Sequence, residues 1–178
     1  MLLPDDQIQA RSKLLRLLLL DVDGVLTDGT ISVSGSGDER KSFSIRDGSA
    51  ILWARHAGIE VGLLSGRHSG ATAKRAAELK IGIIIQGETD KRTAFTKIAT
   101  TQNLTSDQIA FMGDDLLDLP VLKLAGLSAA PADACDDVRR RVHYVTRAAG
   151  GRGAVREFIE LILRGRGQWD ALVQRYVD

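Results

Sequence analysis

The sequence predicts an α/β fold, a parallel sheet with helices on both faces. Three observations predict it. Apolar runs of strand length recur at Leu17–Asp21, Glu60–Leu64, Ile81–Ile85 and Ile109–Met112. Helix-like segments separate them, and strand–helix alternation marks parallel strands joined by crossovers. Several runs end in carboxylates, hydroxyls or glycines, where open sheets place their ligands. The sharpest is Leu17-Leu18-Leu19-Leu20-Asp21-Val22-Asp23-Gly24. A continuous apolar run fits a strand buried on both faces. Asp21 and Asp23 stand two apart, so an extended chain points both the same way. Gly24 lets the chain turn away at little steric cost.

Taken in order, the chain opens with a short helix and then the Leu17–Asp21 strand. Thr30–Ile45 reads as a hairpin flap: Ile31, Val33, Phe43 and Ile45 alternate with polar residues, and Gly35-Ser36-Gly37-Asp38 offers a turn. A helix from Asp47 stops at Ala57-Gly58. The strand Glu60–Leu64 leads into Ser65-Gly66-Arg67, and a helix covers Ala71–Leu79. Thr89-Asp90 caps a helix over Lys91–Thr100. After the strand Ile109–Met112 comes Gly113-Asp114-Asp115, then a helical stretch Leu116–Leu124 made irregular by Pro120. A strand at Leu127–Ala130, a small helix at Ala134–Arg140 and a strand at His143–Thr146 follow. Gly150 to Gly153 form a joint, or amides open to an anion, before the helix Ala154–Leu163 and a tail bearing Trp169 and Tyr176.

The 178 residues suit one domain, 1–178, with a tail from about residue 150. Lysine plus arginine number 24 against 23 acidic residues, a formal charge of +1. That balance argues against a nucleic-acid or membrane partner, which would want a basic excess. The lone Cys135 allows no internal disulfide and no cysteine cage for zinc. The N-terminal residues lack a basic signal region, and Leu14–Leu20 is too short to span a bilayer. These readings predict a cytoplasmic protein.

Right-handed crossovers bring the strand carboxyl ends to one rim. There stand Asp21, Asp23, Ser65, Gly66, Arg67, Lys91, Asp114, Asp115 and Asp118. Clustered carboxylates repel and need a cation. Oxygen ligands without a His or Cys cluster favour Mg²⁺. Ser65, nearby amides and Lys91 suit the remaining oxygens of a phosphoryl group. One aspartate can attack phosphorus, and a second can protonate the leaving alcohol and then activate water.

Asp21-Val22-Asp23-Gly24-Val25 resembles the first motif of the haloacid dehalogenase-like phosphatases, Leu64-Ser65-Gly66-Arg67 the second, Lys91 the third and Gly113-Asp114-Asp115-Leu116-Leu117-Asp118 the fourth. The resemblance spans about Leu17 to Glu157 and implies a Rossmann-like fold. It implies Asp21 as nucleophile and Asp23 as general acid/base. Mg²⁺ would be held by the Asp21 side chain, the Asp23 carbonyl and Asp114. Ser65, Gly66 and Lys91 would bind phosphate, with Asp115 and Asp118 supporting. The gaps between motifs leave no room for a cap domain. Within the capless group, Leu26-Thr27-Asp28-Gly29, Arg46-Asp47-Gly48 and Gly150-Gly151-Arg152-Gly153-Ala154-Val155-Arg156-Glu157 resemble the 3-deoxy-D-manno-octulosonate 8-phosphate phosphatase family. That resemblance implies a homotetramer packed through its hairpins, a sugar acid phosphate as substrate, and a role in lipopolysaccharide precursor synthesis. It implies substrate contacts at Ser44, Ile45, Arg46, Asp47, Gly48, Arg67 and Arg75. Leu52 departs from relatives that carry arginine there.

Other readings stand beside it. A nonulosonate 9-phosphate is the substrate of a sister family, whose pattern lacks the arginines at Arg46 and Arg67. A phospho-accepting receiver domain also sets carboxylates, Mg²⁺, a hydroxyl and a lysine on a parallel sheet. Its acceptor aspartate ends a later strand, and no lone aspartate ends Val61–Leu64 or Ile83–Ile85 here. A phosphosugar mutase would need a cap to exclude water.

Overall fold

The computed structural model describes residues 2–177. Its elements in chain order are α1 (Asp5–Leu14), β1 (Leu17–Leu20), β2 (Ser32–Val33), β3 (Glu39–Arg40), α2 (Ile45–His56), β4 (Glu60–Leu64), α3 (Gly70–Glu78) and β5 (Ile83–Ile85). Then come α4 (Lys91–Thr101), β6 (Ile109–Met112), α5 (Leu119–Leu122), β7 (Leu127–Ala130), α6 (Asp136–Arg139), β8 (Tyr144–Val145), α7 (Ala154–Gly165) and α8 (Trp169–Gln174). The six-stranded sheet runs β5-β4-β1-β6-β7-β8, parallel throughout, and β2 and β3 form a separate antiparallel hairpin.

The four leucines of β1 explain its central place. Leu18 and Leu20 face one layer with Ile51 and Ala54 of α2 and Phe158, Ile159 and Ile162 of α7. Leu17 and Leu19 face the other, with Phe95 and Ile98 of α4 and Val121 and Leu122 of α5. All four are buried. At about 1.5–3 kcal/mol for each fully buried aliphatic side chain, the strand is held from both faces. Leu20 pairs in register with Leu63 on one side and Met112 on the other, so β1 and β6 end together and β4 one residue later.

Two strand expectations need correction. The second hairpin strand ends at Arg40, so Phe43 and Ile45 do not continue it. Ser44 instead accepts a hydrogen bond from the Asp47 amide and caps α2, which starts at Ile45. A serine three residues before an acceptor-hungry amide serves a helix start as well as a strand. The expected buried strand at Ile81–Ile85 is shorter, Ile83–Ile85, and half-exposed because it forms the sheet edge.

The Asp47 carboxylate is buried and reaches the far end of the chain. It accepts from the amides of Gly153 (3.2 Å) and Arg156 (2.8 Å), capping α7 where that helix begins. Burial raises its pKa, and the two amides and Arg156 work against that. The tail folds back on α2. Trp53 lies edge-on to Trp169 at 5.9 Å, donates to the Tyr176 hydroxyl at 2.9 Å, and carries the Arg156 guanidinium over its ring at 4.6 Å. No helix among the described residues is long and apolar enough to cross a membrane.

Candidate active site

A cavity of about 300 Å³ opens at the carboxyl ends of β1, β4 and β6. Asp21, Asp23, Ser65, Gly66, Arg67, Lys91, Asp114, Asp115 and Asp118 all line it, so the four motifs meet in space. The close fit of the loops depends on glycine. Gly24 has φ of +86°, and a Cβ there would meet the Asp114 carboxylate at 2.0 Å. A Cβ on Gly150 would meet the Gly24 carbonyl oxygen at 1.8 Å.

Lys91, the first residue of α4, is buried. Its Nζ lies 3.0 Å from Asp21 Oδ1 and 2.6 Å from Asp118 Oδ1. The second Asp118 oxygen accepts from the amides of Asp114 (2.9 Å) and Asp115 (3.2 Å). Asp118 therefore braces both the lysine and the loop after β6. Ser65 is buried, and its Oγ accepts from the Arg67 amide at 3.2 Å. Above Gly66 there is room, since a Cβ would find only the Glu88 carbonyl, at 3.8 Å.

Asp21, Asp114 and Asp118 offer oxygens that all lie within 4.8 Å of one another. Lys91 and two amides already occupy the Asp118 oxygens. Asp114 Oδ1, by contrast, is buried without a hydrogen-bond partner among the described residues. An orphaned buried carboxylate oxygen in an all-oxygen cluster fits a hard divalent cation. Burial first, and then the charge of Asp118 against the pull of Lys91, raises the Asp21 pKa to about 7. Burial, then Asp21, Asp118 and Asp115, raises Asp114 to about 8.

These shifts carry a pH dependence with a definite sign. A carboxyl whose folded pKa lies above its unfolded value binds a proton more tightly when folded. Its stabilising effect is full at low pH and is lost as pH rises through the folded pKa. Both groups therefore make the stability of the metal-free protein fall as pH rises from about 4 to about 8. A divalent cation must displace these protons, so Mg²⁺ binds more tightly as pH rises. The expected result is a larger Mg²⁺-induced rise in Tm at pH 8 than at pH 6, with protons released on titration. An Mg²⁺ affinity independent of pH across that range would contradict it.

The Asp23 side chain lies apart from this trio. Its oxygens take Lys41 Nζ at 2.6 and 2.9 Å, with Arg67 Nε at 3.6 Å. Arg67 Nη2 also pairs with Glu39 at 2.9 Å. Glu39 and Lys41 escaped the sequence reading. Their signal was present: two charges two apart on an extended segment point the same way.

Of the other expected substrate contacts, Arg67 lines the cavity while Ser44, Ile45, Arg46, Asp47, Gly48 and Arg75 do not. Ile45 and Arg46 are exposed. Asp47 is spent on α7. Arg75 pairs with Glu78 at 2.8 Å, donates to the Ser44 carbonyl at 3.3 Å and fills the space beside Gly48. It props the start of α2. Asp115 is exposed and accepts from the Leu116 amide at 2.7 Å. The Gly150–Gly153 loop is a packed joint: its amides go to Asp133, the Val25 carbonyl and Asp47.

Known proteins match this arrangement. Residues 78–159 match the family model of the haloacid dehalogenase-like hydrolases. The chain is 43% identical over 163 residues to the 3-deoxy-D-manno-octulosonate 8-phosphate phosphatase KdsC of Escherichia coli strain BL21-DE3, covering 92% of this chain and 87% of that one. Its counterpart from Yersinia pestis is 44% identical over 89% of this chain and 84% of that one. The crystal structure of the Moraxella catarrhalis phosphatase of that name, in complex with magnesium, phosphate and KDO, superposes with a TM-score of 0.94 at 36% identity, over 96% and 98% of the two chains. The cobalt-bound Haemophilus influenzae enzyme superposes with a TM-score of 0.90, also at 36% identity, over 94% and 99%.

Proposed function

Since the chain belongs to the 3-deoxy-D-manno-octulosonate 8-phosphate phosphatase family of haloacid dehalogenase-like hydrolases, we propose that it hydrolyses that sugar acid phosphate to the free sugar acid and phosphate. The observation that carries the reading is the joining of Asp21, Lys91, Asp114 and Asp118 at one cavity, which Asp23 also lines. Asp21, Asp114 and the Asp23 carbonyl would hold Mg²⁺, which when bound neutralises carboxylate and phosphate charge. Asp21 attacks phosphorus to form an aspartyl-phosphate as the bond to the sugar oxygen breaks. Asp23 gives a proton to the departing oxygen and then takes one from the water that cleaves the intermediate. Lys91 places positive charge beside the nucleophile, and Ser65 with the Gly66 loop faces the phosphoryl oxygens.

The hairpin and the loop after β6 expose Val33, Leu116 and Leu117, each more than half accessible, and Ile31 to a smaller extent. We read these as the contact surface of a homotetramer of a cytoplasmic enzyme with a single capless domain. Light scattering that returned a monomer would contradict that assembly.

Substrate choice tests the reading. The phosphate is served by Lys91, Ser65 and the metal, so Arg67, which lines the cavity half-exposed and pairs there with Glu39 at 2.9 Å, is the cation left to meet the substrate's carboxylate by exchanging that partner. The acid phosphate should be preferred over neutral sugar phosphates of similar length. A charge-assisted hydrogen bond contributes roughly 1.5–3 kcal/mol, so Arg67→Ala should erode the preference by about one to two powers of ten in kcat/KM. Equal wild-type constants for acid and neutral substrates would leave a general sugar phosphatase. A better constant for a nonulosonate 9-phosphate would move the enzyme to the sister specificity.

A further inference from the structure

We propose that Lys41 is a positioning residue for Asp23, holding the general acid/base carboxylate in the cavity wall from the hairpin. The inference rests on the phosphatase reading and adds a residue to it. The Lys41 side chain is wholly buried although it directly follows β3, whose Glu39 is half-buried and whose Arg40 is exposed. Among the described residues its ammonium pairs with Asp23 alone, at 2.6 Å to one oxygen and 2.9 Å to the other. A buried ammonium is costly unless paired, so this geometry is held and not incidental. Asp23 is otherwise loosely kept, one-fifth exposed, with Arg67 no closer than 3.6 Å.

The hairpin is tied to the site a second time. Glu39 accepts from Ser69 Oγ and pairs with Arg67 at 2.9 Å. Glu39 and Lys41 stand two apart on one extended segment, β3 and the residue after it, which grips the Ser65–Ser69 loop and Asp23 together. The hairpin's placement thereby fixes where the acid/base carboxylate sits. Positioning of this kind acts on the chemical step, and a misplacement of about 1 Å costs up to about 10²-fold.

The test is kinetic. Lys41→Met and Lys41→Gln should lower kcat for an alkyl phosphate substrate by roughly 10- to 100-fold while KM changes little, with Lys41→Arg restoring part of the loss. The loss should be smaller with p-nitrophenyl phosphate, whose leaving group needs little protonation. In an Asp23→Asn background, Lys41→Met should cost almost nothing more, because the group it positions can no longer transfer a proton. A full further loss in that background, a change confined to KM, or an unchanged kcat would overturn the proposal. An inactive wild type would instead remove the phosphatase reading, and near-normal turnover by Asp23→Asn would remove the acid/base role.

Discussion

Asp21→Asn should abolish phosphate release, by on the order of 10⁴-fold or more, because an amide neither attacks phosphorus nor ligates a cation well. The same change should leave the fold intact, and should even raise the Tm of the metal-free protein near pH 8. The reason lies in the crowding of Asp21, Asp114 and Asp118. Burial and the Asp118 charge oppose ionisation of Asp21, so removing that charge relieves repulsion. Lys91 keeps its 2.6 Å contact with Asp118. A neutral isostere thus separates chemistry from stability: turnover vanishes while denaturation midpoints hold or rise. Loss of both together would mean that the carboxylate serves the fold. Asp23→Asn offers the contrast. It should lose about 10²–10⁴-fold in turnover and keep Mg²⁺ binding, since only a side chain outside the carboxylate trio is altered.

Asp118→Ala should have the largest effect on stability. The residue is fully buried, and its two oxygens serve three donors, Lys91 Nζ and the amides of Asp114 and Asp115. Truncation leaves two amides unsatisfied and a buried ammonium with one partner. Breaking a buried pair from one side costs about 3–5 kcal/mol. For a chain of this size that corresponds to a Tm lower by roughly 10 °C. Turnover should fall as well, because the Asp114 loop and Lys91 both lose their brace. Urea unfolding and steady-state kinetics on one preparation would check both. Asp118→Asn should be milder, as it keeps one acceptor oxygen. An alanine variant as stable as the wild type would show that water satisfies these donors.

The sheet and its rim were legible because their signals are local. The run Leu17–Leu20 announces a strand with two buried faces, and Asp21 and Asp23 declare where it ends. Asp90 is both a cap residue in sequence and the cap of α4 in space. The hairpin was legible only in part. Alternation from Phe43 to Ile45 fits a strand, yet Ser44 caps a helix, and cap chemistry prevailed over pattern. Long-range partnerships were not legible at all. Nothing beside Asp47 announces that its carboxylate caps a helix more than a hundred residues later. Arg75 is as plausible a ligand contact as Arg67 in one dimension. Only packing shows that one lines the cavity and the other props α2. The receiver-domain alternative shared the residue types, and the match to phosphatases along most of the chain decides against it.

The sheet order has a consequence for the chain's birth. β1 is the first strand of this sheet to be made, yet it ends at the middle, between β4 and β6. At translation rates of about 5–20 residues per second, the interval from Leu17 to Ile109 is roughly 5–20 s. For that time a four-leucine strand leaves the ribosome with a neighbour on one side at most. α7, whose Phe158 and Ile159 complete one face of the core, arrives later still. The nascent chain must carry this apolar run unpaired on one side for the whole interval, so demand for a holding chaperone falls on β1, and slowing synthesis between β4 and β6 would prolong it.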